Sequence, residues 1–287
     1  MIKRRIEENG LVADLFHDGS GQPRKAIVLL GGSEGGKFWS SFPVRKPMNY
    51  LVGLGYNLLS LAYFKITGLP PTLEEIPLEY FEKAFAWFAT QPEVVSDEIA
   101  LIGASKGAEV ALLLGSMTPK IRAVVALSPS SVVWEGVPKK GVDVRYNRKS
   151  SWSYQGKELP YVANMLSSWN IGTMLGTVLF GTLRKQGEQA LQNKVEVEKA
   201  SIPVEKIQGA LLLMSGKRDK MWPATQMCEQ MMSRLAARGF IYSYEHIAYD
   251  VGHQGYIQKK DCWRAIAGFL KDHYAPASVD VHNSAGN

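Results

Sequence analysis

EIALIGASKGAEVALLLGSM, residues 98–117, changes structural period within the space of one turn. Its first half, Glu98 to Gly103, is a short apolar run suited to a buried strand. Its second half, Lys106 to Met117, carries the aliphatic residues and alanines of a helix. Between them, Gly103-Ala104-Ser105-Lys106-Gly107 fits G-x-S-x-G. With a strand directly before it and a helix directly after, that pattern is a nucleophile elbow, a sharp turn that lifts a serine oxygen above the sheet edge. Glycines two residues to either side leave the turn room against neighbouring backbone. The helix that starts at the serine aims free N–H groups and its positive end at any oxyanion formed there. A serine that merely capped the helix would explain Ser105 but neither glycine.

The alternation extends in both directions. Leu11 to Phe16 and Lys25 to Leu30 read as a first pair of strands around a turn-rich segment, and Asn57 to Tyr63 as a buried strand. Leu73 to Thr90 sets Ile76, Tyr80, Phe81, Ala84, Phe85 and Phe88 largely on one helical face. Beyond the elbow come strands Ile121 to Leu127 and Ala210 to Met214, helix Ala224 to Arg238, strand Ile241 to Ala248 and helix Lys260 to His273. This predicts an α/β fold, a mostly parallel sheet with helices on both faces. Residues 1–274 are expected to form one α/β-hydrolase domain, interrupted at about 130–208 by an insertion too long for an ordinary connection. The insertion has helical patterns of its own, Tyr161 to Trp169 and Leu175 to Gln192, and is read as a cap. The small, polar residues 275–287 are expected to be disordered.

A serine hydroxyl is a poor nucleophile until a base removes its proton. In this fold the base and its acid follow the serine along the chain, each on a loop after a strand. His17 precedes the elbow, His273 and His282 lie in the last helix and the tail, and His246 falls inside a strand pattern where a buried, hydrogen-bonded role fits. His253, in Asp250-Val251-Gly252-His253-Gln254-Gly255, stands where the base is required. Asp219 follows the strand Ala210 to Met214 and is the expected acid, with Asp250 as its rival. The backbone N–H of Lys106 is one expected oxyanion donor. The loop Gly31-Gly32-Ser33-Glu34-Gly35-Gly36 supplies the other, from Ser33 first and Glu34 second. That loop lacks both G-x-G-x-x-G spacing and the lysine-serine ending of a nucleotide loop.

Composition limits the alternatives. The 287 residues are 46% hydrophobic and 21% charged, enough for a sizeable core without staples. Cys228 and Cys262 make no disulfide or metal framework and read as two independent reduced thiols. A formal charge of +6 permits an anionic substrate. No zinc-finger, helix-turn-helix or RNA-binding pattern accompanies it, so no nucleic-acid partner is expected. The longest apolar run, Ile171 to Phe180, is too short to span a membrane. The charged N-terminus lacks the apolar stretch of a secretory signal, so a cytoplasmic location is expected. The site calls for no metal or organic cofactor.

Three segments carry a family resemblance: Leu30 to Gly36, Leu59 to Phe64, and the elbow continued as Gly103-Ala104-Ser105-Lys106-Gly107-Ala108-Glu109. They resemble the C-terminal catalytic domain of acyl-CoA thioesterases and bile acid-CoA:amino acid N-acyltransferases. The likeness is close over Ala26 to Ser116 and looser at Asp219 and His253. It implies an α/β-hydrolase fold, acyl-thioester substrates and a Ser105, His253, Asp219 triad. Members that transfer acyl groups to amino acids carry cysteine at the nucleophile; Ser105 therefore implies water as the acceptor. Only about 25 residues precede Ala26, so a departure from the animal pattern, with its β-rich N-terminal domain, is expected. Glu109 matches the family motif and is read as structural. The expected substrate is a small acyl ester or acyl-CoA. Carboxylesterase or dienelactone-hydrolase-like work, acyl transfer, peptidase activity and non-catalytic binding are the alternatives.

The start of the insertion is basic: Lys139, Lys140, Arg145, Arg148, Lys149 and Lys157 stand against Asp143, with Trp152, Tyr154, Tyr161 and Trp169 interleaved or following. Arg145, Arg148, Lys149, Trp152 and Trp169 are expected to hold a phosphate-bearing, partly apolar substrate. The plainer reading is a solvated basic loop over an apolar surface.

Overall fold

The computed structural model describes residues 1–35, 38–41, 44–139, 148–163, 176–177 and 179–276. Its frame is an eight-stranded sheet in the order β1-β2-β4-β3-β6-β7-β10-β11. These strands are β1 (Ile2–Glu8), β2 (Leu11–His17), β3 (Arg24–Leu30), β4 (Tyr56–Ala62), β6 (Val94–Ala104), β7 (Ile121–Leu127), β10 (Ala210–Gly216) and β11 (Tyr244–Tyr249). From β4 to β11 all neighbours run parallel; β2 joins β4 antiparallel and β1 joins β2 antiparallel. Parallel strands are covered on both faces, which is why β3, β4 and β7 read as nearly unbroken apolar runs.

Successive residues divide between two cores, as the two-residue period of a strand requires. Ile27, Leu29, Leu58 and Ile102 face helices α1 (Arg45–Gly53) and α7 (Lys260–His273) through Met48, Leu51, Ile266 and Leu270. Val28, Leu30, Leu59 and Leu101 face the other side. There α2 (Leu78–Ala89), α3 (Lys106–Met117) and α6 (Ala224–Ala237) pack. The fold is thus α/β with helices on both faces. Among the described residues no helix is long and apolar enough to cross a membrane.

Several boundaries differ from the expectations. β1 was not anticipated: only Ile6 of its residues is buried, so this charged edge strand shows no apolar run. Its signal was the turn instead. Asn9-Gly10, both at positive φ (52° and 73°), is a strong hairpin dipeptide. Leu11 to Phe16 and Lys25 to Leu30 are not partners, because β4 lies between them. The helix expected from Leu73 starts at Leu78: Pro77 has no N–H to give a helix interior, and Ile76–Pro77 form β5. β11 starts at Tyr244, with Ile241 left exposed. Of the Leu175 to Gln192 helix, α4 spans Thr182–Ala190 and follows Gly181 at φ 67°. Tyr161 to Ala163 is non-helical, with Val162 bridged to Trp134; the rest of that expected helix lies outside the described residues, as do 277–287 of the tail.

The segment between β7 and β10 also carries β8 (Trp152–Tyr154), β9 (Lys157–Glu158) and α5 (Lys194–Ala200). β5, β8 and β9 form a separate three-stranded sheet. Val132, Trp134, Trp152 and Val162 join the same core as Tyr63 and Phe81, so this part of the insertion is packed on the main sheet.

Candidate active site

The elbow forms where β6 ends at Ala104 and α3 begins at Lys106. Ser105 between them has φ 57° and ψ −120°, a conformation rare for a residue with a side chain and a form of stored strain. Its N–H donates to Leu127 O on β7 at 2.8 Å. Both flanking glycines are required by close approach. A Cβ on Gly103 would stand 2.1 Å from Gly107 O, and one on Gly107 would stand 2.2 Å from Leu30 O.

Three loops at the carboxyl ends of parallel strands bring the expected side chains together. His253 Nε2 lies 3.0 Å from Ser105 Oγ, and His253 Nδ1 lies 2.6 Å from Asp219 Oδ2. With an acceptor at Nδ1, the proton is assigned there, leaving Nε2 to accept from the serine hydroxyl. Asp219, 1% exposed, is held through its other oxygen by the N–H groups of Met221 (2.7 Å) and Trp222 (3.3 Å). Asp250, the rival acid, is exposed and paired with Arg218 at 3.1 Å. His246 donates or accepts at Ser215 Oγ (2.8 Å), the hydrogen-bonded strand role expected of it; burial lowers its pKa.

Sequence reasoning missed the groups that hold the His253 loop. Ser128 Oγ bonds His253 O and lies 2.8 Å from Tyr256 Oη, which also donates to Met214 O at 3.1 Å. Trp222 sets its ring edge-on to His253 at 5.5 Å and donates to Ser128 O at 3.1 Å. Ser128 follows β7 directly, and its positive φ of 50° marks a constrained turn. No sequence motif distinguished it from other serines.

On the opposite side, the Gly31–Gly35 loop is fixed at several points. Tyr63 Oη donates to Gly31 O at 2.5 Å and Lys65 Nζ to Ser33 O at 3.1 Å. The Glu34 carboxylate folds back to accept the Gly32 N–H at 2.7 Å. Partial loss of hydration at the carboxyl group raises the Glu34 pKa, although the residue as a whole is exposed; the N–H groups of Glu34 and Gly32 and the charge of Lys65 oppose the shift. Lys106, as the first residue of α3, has no intrahelical acceptor for its N–H. Among the described residues the N–H groups of Lys106 and Ser33 have no acceptor in the protein. Nor does any group of three or more His, Cys, Asp and Glu among them make a metal cluster.

This geometry can be set beside known proteins. The family model "BAAT / Acyl-CoA thioester hydrolase C terminal" matches residues 76–259, more than half of the chain. The chain belongs to this family. Mouse (Mus musculus) acyl-coenzyme A thioesterase 2, mitochondrial, is 28% identical over 237 residues, covering 82% of this chain and 46% of that protein. Mouse acyl-coenzyme A amino acid N-acyltransferase 1 is 28% identical over 239 residues, covering 83% and 50%. The chain spans about half the length of these relatives. Among solved structures, an esterase from Pyrococcus furiosus aligns with TM-score 0.61 at 18% identity, over 95% of this chain and 90% of that one. A putative dienelactone hydrolase from Klebsiella pneumoniae aligns with TM-score 0.59 at 14% identity, over 94% and 97%. At such identities the likeness shows the α/β-hydrolase fold alone.

In this member of the thioester hydrolase family the expected substrate residues divide. Trp152 is corrected: it is fully buried, packed tilted against Tyr63 and edge-on to Phe81, and its indole donates to Glu109 at 2.8 Å, so it is core. Arg148 pairs with Glu135 at 3.3 Å, and Lys149 pairs with Glu75. Arg145 and Trp169 lie outside the described residues. Glu109 is 0% exposed beneath the elbow, the structural place expected of it, and pairs with Lys106 at 3.1 Å.

Proposed function

We propose that this chain is a serine hydrolase that cleaves acyl thioesters, with Ser105 as nucleophile, His253 as base and acid, and Asp219 as the residue that orients the imidazole. The observation that carries this reading is the hydrogen-bonded series from Ser105 through His253 to Asp219, set on a strained elbow at a sheet edge. Family membership supports the thioester as the bond cleaved.

Ser105 Oγ attacks the carbonyl carbon while His253 Nε2 takes its proton. The resulting oxyanion is met by the N–H groups of Lys106 and Ser33. The C–S bond then breaks, and the thiol leaves with the proton from His253. Water, deprotonated by His253, attacks the acyl-enzyme, and the carboxylic acid departs as Ser105 regains its proton. Serine, where the acyl-transferring members carry cysteine, favours water over an amine as acceptor. The insertion serves as the cap that shapes the acyl site.

Labelling with a fluorophosphonate probe, lost in Ser105→Ala, tests the nucleophile. A panel of acyl-CoA thioesters and oxygen esters of the same acyl groups tests the substrate. Higher kcat/KM on the thioesters is expected; the reverse order would move the reading to a carboxylesterase.

A further inference from the structure

The mechanism above leaves one charged side chain beside the nucleophile without a part. Gly32 is enclosed between Glu34 and Ser105: a Cβ on Gly32 would stand 2.8 Å from Glu34 Oε2 and 3.1 Å from Ser105 Cβ. A Cβ on Gly31 would stand 2.8 Å from Glu34 Oε1, the oxygen that accepts the Gly32 N–H. Two consecutive glycines therefore make the space into which this carboxylate folds. Gly35 completes the turn at φ 98°, with its N–H directed at Gly32 O.

We propose that Glu34 is a positioning residue: by holding the Gly32 N–H it sets the loop so that the Ser33 N–H is the donor to the oxyanion. The inference rests on Ser105 being the nucleophile. A carboxylate in this place has few possible roles. It does not stabilise the oxyanion by charge, since like charges so close repel. It does not serve as the base, because His253 already holds Ser105 Oγ at 3.0 Å and is itself held by Asp219. What remains is its hydrogen bond, which withdraws one N–H from the loop. The neighbouring clamps, Tyr63 on Gly31 O and Lys65 on Ser33 O, hold carbonyls. Glu34 acts on the donors, and with Gly32 engaged the next N–H along is that of Ser33.

The test uses the full chain and three substitutions. Glu34→Gln keeps an acceptor of the same reach without the charge. Glu34→Asp keeps the charge on a shorter arm, and Glu34→Ala removes both. Hydrolysis of p-nitrophenyl butyrate and the rate of fluorophosphonate labelling at Ser105 are measured for each. Glu34→Ala and Glu34→Asp should lower kcat by roughly 10²-fold, the scale of a lost oxyanion donor, with KM within about threefold. Labelling should slow in step, because the probe's phosphoryl oxygen occupies the same hole. Glu34→Gln should recover kcat to within about fivefold of wild type. If Glu34→Ala does not fold, the Gln and Asp variants alone still separate hydrogen bond from charge. The proposal is overturned if Asp matches wild type, if Gln is as poor as Asp, or if the loss falls on KM. Failure of wild type to label at Ser105 would instead remove the nucleophile assignment itself.

Discussion

Glu109→Ala removes the carboxylate beneath the elbow helix and strands a buried cation. In the native chain Glu109 Oε1 accepts from Trp152 Nε1 at 2.8 Å, Trp134 N at 3.2 Å and Lys106 Nζ at 3.2 Å. The Lys106 ammonium, 1% exposed, also bonds Ser151 Oγ at 2.7 Å and Glu135 O at 3.0 Å. Burial pulls the Lys106 pKa down and pushes the Glu109 pKa up, each held in check by the other's charge. Neither group can move to water. Removing one partner of such a pair costs about 3–5 kcal/mol, because the remaining charge stays buried without compensation. Against a total stability of roughly 5–15 kcal/mol this is a large fraction. For a chain of 287 residues, with an unfolding entropy of about 0.6 kcal/mol/K, it should lower Tm by about 5–8 °C. Urea unfolding followed by tryptophan fluorescence, with calorimetry, measures the loss. The double variant Lys106→Met/Glu109→Leu should recover part of it, since no charge is stranded, while the indole of Trp152 and the N–H of Trp134 remain unpaired at about 1–3 kcal/mol each. A loss under about 1 kcal/mol in Glu109→Ala, or a double variant less stable than the single, would mean that no charge is stranded beneath the elbow.

Ser105→Ala should leave circular dichroism unchanged and lower turnover by roughly 10³-fold or more; activity within about tenfold of wild type would remove the assignment. Asp219→Asn should lose most activity through the wrong imidazole tautomer, whereas Asp250→Asn, altering an exposed pair with Arg218, should be mild. The opposite ranking would exchange the two carboxylates. Gly107→Ala places a methyl 2.2 Å from Leu30 O and should fail to give folded protein or lower Tm sharply; near-native stability would contradict the close packing of α3 on β3. Arg148→Gln and Lys149→Gln remove cations already paired with Glu135 and Glu75. They should therefore change KM for an acyl-CoA and for an uncharged ester equally, and a selective rise for the acyl-CoA would restore them to the substrate site.

Much of this molecule was legible as a string. Parallel strands buried on two faces show as apolar runs, so β3, β4, β6, β7 and β10 were all found. The chain order of serine, acid and histidine then picked Asp219 and His253 out of many carboxylates and five histidines. The failures were of a different kind. β1 carries its charges to solvent and so lacks a run. Proximity in sequence made β2 and β3 look paired, although β4 separates them. Charge beside aromatic residues suggested a binding surface at Arg148, Lys149 and Trp152. The cations instead found Glu135 and Glu75, and the indole went to the core.

The alternation of strand with helix, and the turn between Gly103 and Gly107, follow from residues close along the chain, and the chain itself states them; the room that Gly107 leaves for Leu30 O is a contact across the sheet that the motif only marks. The partner of each charge does not follow in that way. Glu109 meets Trp152 across 43 positions, and Ser128 meets Tyr256 across 128. Whether a carboxylate caps a loop, as Glu34 does, or neutralises a buried lysine, as Glu109 does, depends on which surfaces the sheet brings together. Side-chain type sets what a group can bond, and burial against a distant segment sets what it does bond.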